Sequence, residues 1–500
     1  MLRKFRTALA IIFLAGITLL FVGIGQDWWG WMAKIQLLPA VYRVIGGFTL
    51  GNVAVLAAIL LLTLLFGRIY CSVICPLGIF QDVVIWLRRT LSGLVNKCRI
   101  RKFQRLKASG AKDLPKLKLA GKKFEFSKER RLPRFVLSAA FIISAIAFGQ
   151  ILISLVAPYS AYGRMVQAVA GLTTGKAATA LLIVAAATFV LVGTCAWLWG
   201  RAWCNVVCPV GTLLGYSSKL SLFKVSIDES KCKACGKCGK ACKASCIDME
   251  NHRIDYSRCV ACFDCIGNCS EGAVSYGPKR AAKAPAAETK GVDRRKFLST
   301  AVVALGAAAA AKAQEMPEIK VDGGLAPLEP KRMPERSGRI VPPGAGSADS
   351  FYSHCTSCQL CVSACPNGVL RPSKDLDHFL MPMMSYDKGF CRPECTACSD
   401  VCPSGAIRPI VQEAKTAIRI GTAHVKPELC LAATDVENCG NCSRHCPTGA
   451  IRMVVDDATS TRRPVVDEEQ CIGCGACEYL CPVRPLSAIT VDGLSTHQMK

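Results

Sequence analysis

CIGCGACEYLCP, residues 471–482, spaces four cysteines as Cys-x2-Cys-x2-Cys-x3-Cys and follows the last with proline. Three thiols this close in one tight loop can grip three irons of one cube, while the fourth lies further along the chain. The pattern recurs as Cys232, Cys235, Cys238 and Cys242; Cys259, Cys262, Cys265 and Cys269; Cys355, Cys358, Cys361 and Cys365; Cys391, Cys395, Cys398 and Cys402; and Cys430, Cys439, Cys442 and Cys446. With Cys471, Cys474, Cys477 and Cys481 these six quartets take 24 of the 31 cysteines. Pro366, Pro403, Pro447 and Pro482 follow four of the trailing cysteines, while Lys243 and Ser270 stand there in the first two quartets. The quartets at Cys391 and Cys430 open with wider gaps, and Cys246 is surplus to the first, where Cys242 is the preferred ligand. A zinc ribbon wants two CxxC pairs separated by a longer span, not a triple with a trailing cysteine. A disulfide framework belongs to small secreted chains. The reading is six 4Fe-4S clusters in small α+β units with small apolar cores, so that the clusters supply much of the folding energy.

The rest of the composition narrows the class. The chain has 500 residues, room for several domains, and is 51% hydrophobic, unlike a disordered chain. No CxxCH occurs, and no histidine precedes His252. Attached c-type haem and a His-ligated haem in the N-terminal half are therefore excluded.

Four apolar runs, about 8–25, 44–66, 135–156 and 177–199, approach the ~20 residues that a membrane-crossing helix needs. Cations flank them unevenly. Arg3, Lys4 and Arg6 precede the first run, and a strongly basic connection from Arg88 to Arg134 separates the second from the third, opposed only by Asp113, Glu125 and Glu129. The positive-inside rule puts the N-terminus, this connection and the segment after Trp199 in the cytoplasm. Much of the net charge of +26 is thus a topology signal, and no nucleic-acid partner is expected. Trp28, Trp29, Trp31, Tyr42, Tyr159 and Tyr162 fall in the outer loops, as an interfacial aromatic belt or as walls for a flat lipophilic ligand.

The second and fourth runs end alike, in GRIYCSVICPLG from Gly67 and GRAWCNVVCPVG from Gly200. A two-helix unit is duplicated, and each copy carries a Cys-x-x-x-Cys-Pro motif: Cys71 with Cys75, and Cys204 with Cys208. Four residues of spacing place both thiols on one face of a helix. Four such thiols suit a metal site or a thiol redox site. Cys98 and Cys195 read as plain residues.

Residues 278–293 read as a linker, and DRRKFLST then leads into an Ala-rich run. Arg294 and Arg295 with Phe297 and Leu298 resemble a twin-arginine transport signal, placed after a complete cytoplasmic module. A route that carries folded protein lets clusters cross already inserted. Ala311-Lys312-Ala313 fits a small-residue cleavage site, although an uncut anchor, a fifth helix, suits a fusion better.

Taken together, residues 1–280 resemble the membrane quinol-dehydrogenase ferredoxin component of periplasmic nitrate reductase systems (the NapH type). From about Arg294 the chain resembles its exported four-cluster ferredoxin partner (the NapG type). The resemblance implies a bacterial inner-membrane, multi-pass protein with four domains. Residues 1–220 form a four-helix transmembrane module, 221–278 a cytoplasmic two-cluster ferredoxin, 279–348 a linker with the internal signal, and 349–500 an exported four-cluster domain. It implies contact with lipid and the quinone pool, oxidation of quinol, and delivery of electrons to a periplasmic reductase or cytochrome. By resemblance to bacterial-type ferredoxins, quartets swap their last ligand, so Cys232, Cys235 and Cys238 share a cluster with Cys269, and Cys259, Cys262 and Cys265 with Cys242. In the C-terminal domain adjacent and nested pairing both fit. Quinol oxidation needs a proton acceptor; Asp27 beside Trp28 and Trp29 is the candidate, with Asp82 at the inner edge, and Cys71, Cys75, Cys204 and Cys208 are the other candidate reactive groups. The alternative is an accessory or maturation factor for a respiratory metalloenzyme, with the CxxxCP motifs handling metal. One gap is open: two clusters lie inside, four outside, and about 30 Å of hydrocarbon separates them.

Overall fold

The computed structural model describes residues 2–22, 24, 26–46, 50–108, 124–146, 155–174, 179–278, 329–373, 375–378, 380–434, 437–455 and 461–500. The linker, Arg294, Arg295 and the 311–313 segment lie outside the described residues, as does the side chain of Asp27.

The N-terminal part is helical: α1 (Leu2–Val22), α2 (Gln26–Lys34), α3 (Leu37–Gly46), α4 (Leu50–Phe66), α5 (Pro76–Ala108), α6 (Arg131–Ile146), α7 (Pro158–Thr174) and α8 (Thr179–Trp199). Two helices, Leu2–Val22 and Leu182–Trp199, are long and apolar enough to cross a membrane, and Leu50–Phe66 is a shorter apolar helix of 17 residues. Only 22% of the apolar window of α8 is buried, whereas the core helix of a soluble protein hides most of its surface. Part of the third apolar run, residues 147–154, is outside the described residues.

Two expectations about connections change. The basic stretch from Arg88 to Lys107 is not a loop but the continuation of α5, whose 33 residues run on from Pro76. Lys, Arg, Leu and Gln are good helix formers, and proline at a first helical position is pre-set for the turn. The first outer connection is not a loop either. α2 and α3 form a helical hairpin whose tip touches the first CxxxCP segment: the Tyr70 hydroxyl donates to Gln36 Oε1 at 3.0 Å and accepts from the Leu37 amide at 2.9 Å. Gly16 on α1 makes this close approach feasible, since a Cβ there would fall 2.7 Å from Met32 Sδ.

The repeat is visible in the backbone. α4 and α8 both end on a glycine with positive φ, Gly67 (+75°) and Gly200 (+66°), the usual left-handed helix stop. Proline restarts each copy, Pro76 on α5 and Pro209 on a helix to Ser217. Between stop and restart the two cysteines do not share one regular helix. Cys71 sits in a single turn (Tyr70–Val73), Cys204 in a π-turn (Trp203–Val207), and Cys208 is extended.

The first ferredoxin unit pairs β1 (Phe223–Ile227) with β2 (Val274–Pro278), antiparallel, Val225 opposite Tyr276. In the C-terminal domain β3 (Leu370–Pro372) pairs β4 (Pro382–Met384), β5 (Ile418–Val425) pairs β8 (Ile489–Met499), and β6 (Ile451–Val455) pairs β7 (Arg462–Val466), all antiparallel. Small buried residues such as Ala406, Ala423, Ala450 and Val491 fill its core together with cluster cysteines, as expected of folds that lean on metal.

Candidate iron–sulfur centres

Six sets of thiols converge, and the trailing cysteines are exchanged. Cys238 has Cys232 and Cys269 as electrostatic neighbours, and Cys265 has Cys262, Cys259 and Cys242. Cys361 has Cys355, Cys358 and Cys402 around it, and Cys398 has Cys391, Cys395 and Cys365. Cys442 faces Cys430, Cys439 and Cys481, and Cys474 faces Cys471 and Cys446. Pairing in the C-terminal domain is therefore between adjacent quartets, not nested.

Four of these sets line pockets of their own: Cys242, Cys259, Cys262 and Cys265; Cys365, Cys391, Cys395 and Cys398; Cys430, Cys439, Cys442 and Cys481; and Cys446, Cys471, Cys474 and Cys477. Among the described residues no three His, Cys, Asp or Glu groups could hold a single metal ion. Four thiols around a shared pocket, no three of them placed for a single ion, suit a multi-iron core and not one tetrahedral zinc.

The loops show why this spacing works. In the four regular quartets the residue before the second cysteine and the residue after it both have positive φ: Ala234 and Gly236, Ala261 and Phe263, Ser357 and Gln359, Gly473 and Gly475. Such alternation curls backbone N–H groups into a nest that favours an anion. The quartets at Cys391 and Cys430, with wider gaps, lack the pair among their described residues. A further positive φ comes three residues after the trailing cysteine, at Gly272, Gly368, Gly405 and Gly449, and at Ser245 in the first quartet.

Cys246 is explained by that register. It occupies the position that Ala273, Val369, Ala406 and Ala450 hold elsewhere, all buried. Its Sγ lies 3.5 Å from Cys242 Sγ, and its thiol lowers the pKa of Cys242 and of Cys259 by hydrogen bonding. Burial pushes Cys262, Cys358 and Cys474 up to about 12 and Cys442 to about 11. These thiols are neutral until a metal displaces their protons, so ligation and deprotonation are one event.

The four sets of the C-terminal domain form a line, the sets of Cys355 and Cys391 meeting where Cys361 has Cys398 as a neighbour. Cys398 and Cys391 belong to the second set, and Cys474 of the fourth has Cys391 as a neighbour. Cys477 in turn has Cys442 of the third. The spatial order is thus the set of Cys355, the set of Cys391, the set of Cys471, and the set of Cys430. The first of these is seated on the helical module. Tyr159 of α7 has Cys358 and Cys402 as neighbours, Arg43 of α3 donates to the carbonyls of Cys355 (3.4 Å) and Ser353, and Leu380 packs with Tyr42 and Phe141.

At the other end, the first ferredoxin unit is bolted to the helices. Lys243 reaches Asp82 at 3.4 Å and Asp264 at 3.1 Å, and Arg68 donates to the Ser257 carbonyl at 2.9 Å. Asp82 also meets Arg6 and Arg201 at 2.9 Å each. Burial alone would raise its pKa, but Arg201, Lys243 and Arg6 outweigh it and hold the carboxyl well below the usual range. Asp82 is therefore a structural counter-ion and not a proton acceptor. The CxxxCP cysteines are brought together: Cys75 has Cys71, Cys204 and Cys208 as neighbours, all four buried. Cys98 is exposed and Cys195 half-buried on α8, apart from these sets. Sequence reasoning missed Arg68, Arg201, Gln36 and Lys243; the repeated Gly-Arg before each motif was the signal for the first two.

A family model described as a 4Fe-4S binding domain matches residues 48–94 and 178–228, the two copies of the repeat. Models described as 4Fe-4S dicluster domains match residues 354–407 and 437–484. The putative electron transport protein YccM of Escherichia coli K12 is 25% identical over 219 residues, 43% of this chain and 53% of that protein. The ferredoxin-type protein NapH of the same organism is 26% identical over 179 residues, 35% of this chain and 47% of NapH. The ferredoxin-type protein NapF, also from Escherichia coli K12, is 31% identical over 179 residues, 36% of this chain and the whole of NapF. The chain thus spans about half the length of YccM and NapH.

Proposed function

The chain belongs to the ferredoxin-type iron–sulfur electron-transport proteins, and on that premise we propose that it takes electrons from a membrane quinol and delivers them to a redox partner on the periplasmic side. The observation that carries the reading is the line of four thiol sets whose first member sits against Tyr159 and Arg43 of the helical module. A line anchored at one end suits conduction; an assembly factor has no use for it.

In this reading residues 1–220 are a four-span module using α1, α4, α8 and the run of 135–156, with residues 221–278 cytoplasmic. Residues 279–348 carry the internal transport signal at Arg294 and Arg295, and 349–500 lie outside. The clusters supply one-electron storage. The chain's own residues set where that charge sits. Arg43 and Tyr159 dock the first C-terminal set, and Lys243, Asp264 and Ser257 fix the cytoplasmic pair. Asp27 at the start of α2 accepts a quinol proton.

Two measurements test this. Membranes holding the full chain are expected to reduce their iron–sulfur centres on addition of a quinol; no reduction by quinol in an iron-replete protein sinks the quinol assignment and favours the assembly-factor reading. Asp27→Asn is expected to slow that reduction while leaving iron content unchanged; an unaltered rate removes Asp27 from the mechanism.

A further inference from the structure

We propose that Cys71, Cys75, Cys204 and Cys208 together hold a seventh, four-iron cluster, shared between the two halves of the internal repeat. The proposal rests on the reading of the six quartets as cluster ligands and adds a centre to them.

The four thiols come from two segments more than a hundred residues apart, yet they meet. Their exposures are 3%, 4%, 4% and 4%. The segments are pinned by close approach. A Cβ on Gly78 would fall 2.2 Å from the Cys71 carbonyl oxygen, and one on Gly211 would fall 1.8 Å from that of Cys204. Each helix that restarts after a motif therefore presses directly on its own cysteine loop.

Charge supplies the second, independent observation. Arg68 and Arg201 are both 0% exposed and cross the repeat. Arg68 Nη2 donates to the Cys204 carbonyl at 3.3 Å, and Arg201 Nη1 donates to the Cys71 carbonyl at 2.9 Å. Each also points at a thiol: Arg68 lies 3.9 Å from Cys71 Sγ, Arg201 3.8 Å from Cys204 Sγ, and Gln81 Nε2 3.2 Å from Cys204 Sγ. Arg201 has Asp82 as counter-ion. Among the described residues Arg68 has no carboxylate partner; its bonds go to Asn205 Oδ1, the Ser257 and Cys204 carbonyls and Cys71 Sγ. A fully buried cation with only neutral partners is costly unless an anion completes the site. Four thiolates around an iron–sulfide core carry that negative charge. Zinc does not fit, because no three of these thiols could hold a single ion.

Position gives the centre its use. One continuous apolar core contains Cys71, Cys75 and Cys208 together with Val260 of the first ferredoxin unit and Leu360 of the C-terminal domain. Val260 lies between Cys259 and Cys262, and Leu360 between Cys358 and Cys361. The seventh centre thus shares its packing with the loops of both the first ferredoxin unit and the C-terminal domain, Cys262 and Cys358 lying against the same core. A cluster held there would supply one further site for a single electron, with no bond made or broken.

The test is metal counting on the full chain, purified anaerobically. The expected result is about 28 irons per chain, against about 24 for six cubes, with a matching excess of labile sulfide. Cys71→Ser and Cys204→Ser are expected to lose about four irons each while the EPR signals of the other centres persist; Cys195→Ser is expected to lose none. A wild-type count of about 24 with alkylatable or disulfide-linked Cys71, Cys75, Cys204 and Cys208 overturns this proposal alone. A chain without iron overturns the parent reading as well. The wild-type count decides the matter even if the serine variants do not fold.

Discussion

The amide of Cys391 donates to the carbonyl of Cys474 at 2.9 Å, a single backbone bond that joins the loops of two different dicluster units. It makes the set of Cys365, Cys391, Cys395 and Cys398 the middle of the line and not one of two parallel branches.

Interrupting that middle set separates the two ends. In Cys398→Ser, quinol is expected to reduce the set of Cys355 as before, while the sets of Cys471 and Cys430 stay oxidised. Freeze-quenched EPR on membranes reads this directly. Simultaneous reduction of both ends in the variant contradicts the linear order.

Gly475 has no room for a side chain. Its φ is +78°, and a Cβ would land 2.2 Å from the Tyr386 ring, which is itself fully buried. Gly475→Ala is expected to cost about 2–4 kcal/mol, the sum of left-handed strain and overpacking. Gly440→Ala, whose new methyl meets nothing nearer than Arg444 Nη1 at 3.8 Å, is expected to stay within about 0.5 kcal/mol. Thermal unfolding of the two variants compares them; equal melting temperatures contradict the packing argument.

His497 gives the C-terminal domain an acid-sensitive edge. Burial lowers its pKa to about 4, while an unfolded histidine takes a proton near pH 6.5. The native state therefore binds fewer protons across that interval. Its contribution to stability is complete above about pH 6.5 and is lost progressively as pH falls toward 4. His497→Gln is expected to flatten the stability curve in that window. It keeps the backbone bond from residue 497 to the Gly346 carbonyl. An unchanged slope shows that the histidine is not responsible.

Cys246→Ala restores the residue type that three other quartets have at this position. Iron content is expected to be unchanged, with a stability change below about 1 kcal/mol, whereas Cys242→Ser removes a cluster. A shift in the potential of the adjacent centre is the expected trace of losing a thiol 3.5 Å from a ligand. Iron loss in Cys246→Ala makes it the ligand instead.

The grouping of the thiols was legible because their spacing is local: three thiols on one loop must sit where the chain puts them. Their pairing in the C-terminal domain was not, because adjacent and nested schemes have the same local sequence and differ only in how Cys365 and Cys402, or Cys446 and Cys481, are packed. The α2–α3 hairpin was hidden because its Trp, Gly and Pro residues read as a connection between apolar runs, and its contact with Tyr70 is long-range. The helical continuation of α5 was masked by its charge, which was read for orientation and says nothing of conformation. Asp82 shows the limit of scanning for carboxylates: the three cations that neutralise it come from residues 6, 201 and 243.

Lys243 stands where four other quartets place proline, and its ammonium sits between Asp82 of α5 and Asp264 of the ferredoxin. A freely diffusing ferredoxin meets its donor by collision and works at a rate set by concentration. Here one buried cation clamps the small domain to the helices, so under the proposed function any transfer between them happens at constant separation. The step is then a property of one chain and not of an encounter between two, so its rate per molecule is independent of concentration.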